Sequence, residues 1–230
     1  MAKILFVMTG VDFWTLADGT AHPTGYWAEE FVAPYRAFTG AGHEITVATP
    51  GAVEPVADPG SLAPEFNGGA AGAAEVAAAL EAAKELRNPV DLATVQTSDY
   101  DAVFYPGGHG PMQDLAVNAD SARVLTEMLA SGIPLGVVCH APAALLATGS
   151  AAGSPFAGYR LTGFTNVEES QAGFADKAVW LLQDRLVALG VDFREGAPWA
   201  PHIEVDRNLY TGQNPASAQP LADEILTALS

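Results

Sequence analysis

Apolar positions along this chain fall into two rhythms. Near the start, Lys3–Met8 is an almost unbroken apolar run closed by Thr9-Gly10, too short for a helix and predicted to be a buried strand. From about Tyr26 to Thr39 the apolar residues recur at helical spacing, and Gly40 and Gly42 close the segment. His43–Thr49 reads as a second strand. Pro50–Pro64 carries Gly51, Pro55, Pro59 and Gly60 and is predicted to be an irregular excursion. Ala70–Leu86 is helical by propensity and ends before Asn88-Pro89. Asp101–Tyr105 is a third strand, running into Pro106-Gly107-Gly108-His109-Gly110. Ser121–Ser131 presents Leu125, Met128 and Leu129 on one helical face, and after Gly132 comes a fourth strand, Ile133–Cys139. The stretch from His140 reads as a helix, with Pro142 in its first turn, where proline costs little.

The pattern loosens towards the C-terminus. Tyr159–Asn166 reads as a strand or hairpin arm. Phe174–Leu189 is an amphipathic helix with Ala178, Leu182, Leu186 and Leu189 on one stripe, closed by Gly190. Val191–Phe193 and Leu209–Gly212 are short strands, and Ala216–Leu229 closes the chain as a helix. Strands alternating with helices predict an α/β fold, a mostly parallel sheet covered on both faces. No repeat or linker divides residues 1–230, so one domain is expected.

Composition narrows the function. A formal charge of −17 disfavours nucleic acid and anionic membranes as partners. No apolar run approaches the ~20 residues of a membrane span, and the N-terminal run is shaped as a strand rather than a secretory signal. A single cysteine forms no internal disulfide, which suits a reducing, cytoplasmic compartment.

That cysteine is the main chemical clue. Cys139 ends a strand where a helix is about to start, so its thiol should stand at a sharp turn, favoured as thiolate by the positive end of the helix. His140 follows it and can share the same cleft as proton partner. The Gly107-Gly108 pair lies at the carboxyl edge of a parallel sheet, where backbone N–H groups approach ligands; those of Gly108 and His140 are candidates for an oxyanion hole. His109 is a rim residue. Of the many carboxylates, Glu30 falls on the inner side of its helix by spacing, although a solvated helix glutamate is the ordinary outcome there, and Glu168-Glu169 could orient an imidazole or simply open a helix. His202-Ile203-Glu204 suggests a glutamine amidotransferase triad, but Val137 and Ala141 stand where that reading wants glycines. The five histidines show no metal-ligand spacing, and no nucleotide-binding glycine loop is present, so neither metal nor cofactor is expected.

Five segments, in order, resemble the ThiJ/PfpI superfamily, and within it the heat-shock-chaperone-like branch that includes glyoxalase III enzymes. They are Thr24–Glu30, Tyr105–Gly110, Val137–Pro142, Leu161–Glu169 and Tyr210–Ser217. The resemblance implies a flavodoxin-like three-layer sandwich with Cys139 at a nucleophile elbow. It places Glu30 as a protonated glutamate bonded to the thiolate, and Glu169 as the acid behind His140, with Glu168 one residue away in register. Family members are often homodimers, so a second copy of the chain is an expected partner.

The activity this implies is cofactor-free glyoxalase III: methylglyoxal and water become lactate. Cys139 adds to the aldehyde, and His140 and Glu30 relay a proton between carbons. Tyr26, Trp27, His109, Phe164 and Trp199 are the expected pocket walls. Competing readings are a stress-protective holdase or cysteine redox sensor, and a protein or nucleotide deglycase or other small-electrophile hydrolase.

Overall fold

The computed structural model describes residues 1–230. The first apolar run forms β1 (Lys3–Val7), buried from Ile4 onward. A hairpin follows, β2 (Phe13–Thr15) and β3 (Ala21–Pro23), then α1 (Ala28–Gly40), β4 (Glu44–Thr49) and the irregular excursion. Next come α2 (Ala70–Ala82), the single turn α3 (Lys84–Arg87), β5 (Val90–Asp91) and β6 (Ala102–Tyr105). They lead to α4 (Gly110–Gln113), α5 (Ala119–Ser131), β7 (Leu135–Val138) and a 3₁₀ helix, Ala141–Thr148. The rest is β8 (Arg160–Leu161), α6 (Asn166–Ala172), α7 (Leu182–Leu189), β9 (Asp192–Phe193), β10 (Ile203–Asp206), β11 (Leu209–Gly212) and α8 (Ala218–Ala228).

Seven strands form one sheet in the order β10-β11-β7-β6-β1-β4-β5. Every pairing is parallel except β10 with β11 at the edge. α1 and α8 pack together on one face, while α5 and the 3₁₀ helix pack on the other. With both faces covered, the inner strands lose the alternation of a half-exposed sheet; all residues of β6 and β7 are buried. The chain adds strands outward from β1 through β4 to β5, then returns to β6 on the other side of β1. Loops leaving β1 and β6 therefore diverge and open a crevice at the carboxyl edge.

Several sequence expectations are corrected. Ala70–Leu86 is not one helix: the backbone turns extended at Ala83, which swings Leu86 into the core. An alanine-rich segment has no strong apolar stripe to oppose that break. Phe174–Leu189 is helical only from Leu182, because its first part docks on the hairpin instead; Ala17 N–H donates to Lys177 O at 2.8 Å. Tyr159–Asn166 keeps only β8 as strand, paired in parallel with β9, and Thr165 becomes the N-cap of α6. The helix after Cys139 is 3₁₀ rather than α. The hairpin β2–β3 and the edge strand β10 were not anticipated, although Asp18-Gly19 between two aromatic-bearing segments is a recognisable turn signal.

Gly25 fastens three segments at the crevice. Tyr26 N–H donates to Val56 O and Trp27 N–H to Gly107 O, each at 3.0 Å, while Gly110 N–H donates to Gly25 O at 3.1 Å. A Cβ on Gly25 would fall 1.9 Å from Val56 O, so the backbone itself must move to admit one. Gly25→Ala is expected to cost about 2 kcal/mol and lower Tm by about 4–8 °C, read by thermal unfolding. An unchanged Tm would show that the excursion is not held by this contact.

Candidate active site

Cys139 follows β7 directly with φ of 60°, in the left-handed region that a side chain seldom occupies. Backbone hydrogen bonds hold it there: its N–H donates to Gly212 O at 2.9 Å, and its carbonyl accepts from Phe164 N–H at 2.8 Å. The loop after β6 presses against this elbow. A Cβ on Gly107 would lie 2.6 Å from Val138 O and 2.8 Å from Cys139 Cβ, so only glycine permits the approach. Gly108, at φ of 92°, turns its N–H onto the sulfur and favours its ionised form.

His140 Nδ1 lies 3.2 Å from Cys139 Sγ, and its Nε2 meets Glu169 Oε2 at 2.7 Å. Glu169 Oε1 takes a second imidazole, His109 Nε2, at 2.9 Å. The adjacent glutamate points elsewhere. Glu168 closes the capping box of α6 by accepting from Thr165 N–H at 3.0 Å and Thr165 Oγ1–H at 2.8 Å. Its other oxygen accepts from Trp199 N–H and Asn214 Nδ2–H at 2.8 Å and from Gln213 Nε2–H at 3.1 Å. Successive residues at the start of a helix face about 100° apart, which sends one carboxylate to the histidines and the other to the scaffold.

Glu30 is fully buried in the first turn of α1, and its Oε2 accepts from Gly107 N–H at 2.7 Å. Burial pushes its carboxyl up to about 8, so it holds its proton at neutral pH. Burial also pushes the Cys139 thiol above its ordinary value, and a negative Glu30 would push it further. With Glu30 protonated that repulsion vanishes, and the carboxyl becomes a donor to the sulfur. The expected preset thiolate at a helix terminus is thereby corrected. Desolvation opposes ionisation here, and the neutral carboxyl with Gly108 N–H, rather than the dipole of a short 3₁₀ helix, offsets it. Burial, followed by the neighbouring His109, lowers the His140 imidazole. Burial works against ionisation of Glu169, yet His140 and His109 hold its carboxyl well below the usual carboxylate range.

Cys139, His140, His109 and Gly108 open onto a cavity of about 750 Å³. Trp27, Phe66, Phe164, Phe174 and Trp199 supply its aromatic wall, and no lysine or arginine lines it. Trp27 stands where expected. Tyr26 does not: its side chain is buried against Phe31, with ring centroids 5.9 Å apart. Gly107 lies outside the cavity wall, its N–H committed to Glu30, which leaves Gly108 as the loop's donor. Sequence reasoning missed Phe66, from the excursion, and Phe174, from the segment expected to be helical. His202 and Glu204 approach to 3.3 Å at the edge of the sheet, where Arg160 also holds Glu204; they do not join Cys139, so the amidotransferase arrangement is not formed. Spacing along the chain also hid a possible ligand set: donor atoms of His109, His140 and Glu169 all lie within 4.8 Å of one another, already paired as hydrogen bonds.

The model of the DJ-1/PfpI family matches residues 23–228. The chain belongs to this family. Among family relatives, Glyoxalase 3 of Candida albicans is 27% identical, with 99% of this chain aligned to 98% of that protein. The protein/nucleic acid deglycase HchA of Pseudomonas aeruginosa is 29% identical, over 95% of this chain and 78% of that one. The crystal structure of glyoxalase III from Candida albicans superposes with a TM-score of 0.84 at 25% identity, covering 99% of this chain and 97% of that chain. The flavodoxin-like sandwich of the DJ-1/PfpI family is the fold described above. No helix is long and apolar enough to cross a membrane.

Removing the Glu30 proton should be felt at the sulfur. Glu30→Leu is expected to slow iodoacetamide alkylation of Cys139 at pH 7 by about tenfold or more, the value of a charge-assisted hydrogen bond to the thiolate. A rate equal to or above wild type would mean that the carboxyl repels the sulfur instead. Glu168→Gln turns an acceptor of five N–H and O–H groups into a partial donor and should cost about 2–3 kcal/mol in chemical denaturation.

Proposed function

We propose that this protein is a cofactor-independent glyoxalase III, converting methylglyoxal and water to lactate on Cys139. The observation that carries the reading is the chain of contacts Sγ to His140 Nδ1 at 3.2 Å and His140 Nε2 to Glu169 at 2.7 Å, with protonated Glu30 behind the sulfur. The largely aromatic cavity wall, which carries Asp58 but no lysine or arginine, suits a neutral carbonyl compound and offers no lysine or arginine to a phosphate or carboxylate.

His140 takes the thiol proton at Nδ1, with Glu169 stabilising the imidazolium. The sulfur bonds to the aldehyde carbon, the carbonyl pair moves to oxygen beside Gly108 N–H, and His140 returns its proton to that oxygen. The carbon-bound proton then leaves the former aldehyde carbon and arrives on the neighbouring carbon through an enediol. One carbon is oxidised and the other reduced by the same electron pair, so no external oxidant is consumed. Water cleaves the resulting thioester and releases lactate.

A second reading rests on cavity size. About 750 Å³ is far more than a three-carbon aldehyde needs, and an adduct of such an aldehyde with a larger amine or thiol would also fit, as deglycase activity requires. Both readings use the same sulfur. As a soluble-protein reading, cytoplasmic defence against reactive carbonyls, with a second copy of the chain as partner, accompanies either.

Cys139→Ala is expected to abolish lactate formation from methylglyoxal while leaving Tm within about 2 °C, because the change removes one sulfur atom from the cavity wall. Lactate measured enzymatically from matched wild-type and variant protein decides the point. Turnover retained without the sulfur would end this reading.

A further inference from the structure

Glu169 orients both imidazoles of the site, at 2.7 Å for His140 and 2.9 Å for His109. An ionised carboxylate only accepts, so each ring presents its proton at Nε2 and a lone pair at Nδ1. The His140 lone pair is occupied by the sulfur. His109 Nδ1 has no protein partner, and its ring lines the same cavity. Trp14 stacks on the His109 ring at 4.4 Å with 12° between planes, and the His140 ring packs against it at 4.1 Å. Phe174 closes a further side at 5.2 Å. The ring is thus held in one orientation, with an unused base on a residue that lines the same cavity as Cys139.

The reaction proposed above requires such a group. His140 serves the sulfur and the first oxygen. Glu30 lies behind Gly107, with Oε2 bonded to that N–H, and takes no part in the cavity wall, whereas the His109 ring does. The groups facing the His109 ring are His140, His22 and the Glu169 carboxylate; His22 also lines the cavity.

Resting on the glyoxalase reading, we propose that His109 is the catalytic base that carries the carbon-bound proton from the aldehyde carbon to its neighbour. His109 Nδ1 takes the proton from the sulfur-bearing carbon. The C–H electron pair becomes the carbon–carbon double bond, and the ketone pair moves onto its oxygen. The hydroxyl proton of the first oxygen passes to the second. His109 then returns its proton to the second carbon, the double-bond pair forms the new C–H bond, and the first oxygen closes the thioester carbonyl. Every proton is accounted for, and His109 ends as it began.

His109→Gln tests this, since glutamine keeps a donor for Glu169 and removes the lone pair. Lactate formation should fall about 10²–10⁴-fold, the usual contribution of a general base, while Cys139 alkylation stays within about threefold of wild type. Turnover within about threefold of wild type would overturn the proposal, as would an equal loss of alkylation and turnover, which would make His109 a support for Glu169 alone. His109→Ala with added imidazole gives the second measurement: turnover should rise with imidazole concentration, and no rise overturns the assignment. Wild-type protein that makes no lactate would instead remove the reaction itself, a result separable from either variant.

Discussion

Glu30 and Cys139 are acidic groups buried side by side, and two negative charges there would cost more than the fold can supply. The structure resolves this by keeping a proton on the carboxyl and fixing its other oxygen on Gly107 N–H at 2.7 Å. Much of the local architecture serves that pairing. Gly25 lets the segment before α1 lie against the excursion, Trp27 N–H ties α1 to the loop after β6, and Gly107 lets that loop reach the elbow. An extra carbon at Gly107 would press on both, at 2.7 Å from Glu30 Oε2 and 2.8 Å from Cys139 Cβ.

On the other side of the sulfur, the acidic pair at the start of α6 divides its work. Glu168 gathers donors from Thr165, Trp199, Gln213 and Asn214 and so anchors the loops that end the cavity wall. Glu169, one residue on, is free to address the histidines. A fully satisfied buried carboxylate beside a functional one gives the functional one a rigid base, because α6 cannot rotate without breaking the bonds of its neighbour. The Trp14, Phe174 and Phe164 rings then hold the imidazoles from their faces, with Phe164 at 4.3 Å from His140.

The elements legible in the sequence were those whose signal is local and whose burial is complete. The apolar runs Lys3–Met8 and Ile133–Cys139 read as strands and contain β1 and β7, and Gly132, after α5, ends a helix. The segments that were misread are those whose conformation is set by distant partners. The stretch before α7 has helical spacing, but its Phe174 is drawn onto His109 and His22, and the hairpin claims its backbone. Ala70–Leu86 has helix propensity without a face, so the need to bury Leu86 decided where it broke.

The candidate site divides along the same line. Cys139 next to His140 after an apolar strand is a local pattern, and it announced a thiol at a turn without reference to anything else. The sequence by itself also determined which residues were available to help: the glutamate pair, the inward Glu30, the Gly-Gly-His loop. Which glutamate faces the imidazole, and that Tyr26 turns into the core while Trp27 lines the cavity, depend on rotations of about 100° per residue at the ends of short elements. Only packing chooses among those rotations. The charge state of the sulfur was decided later still, because desolvation exists only once the chain has closed around it.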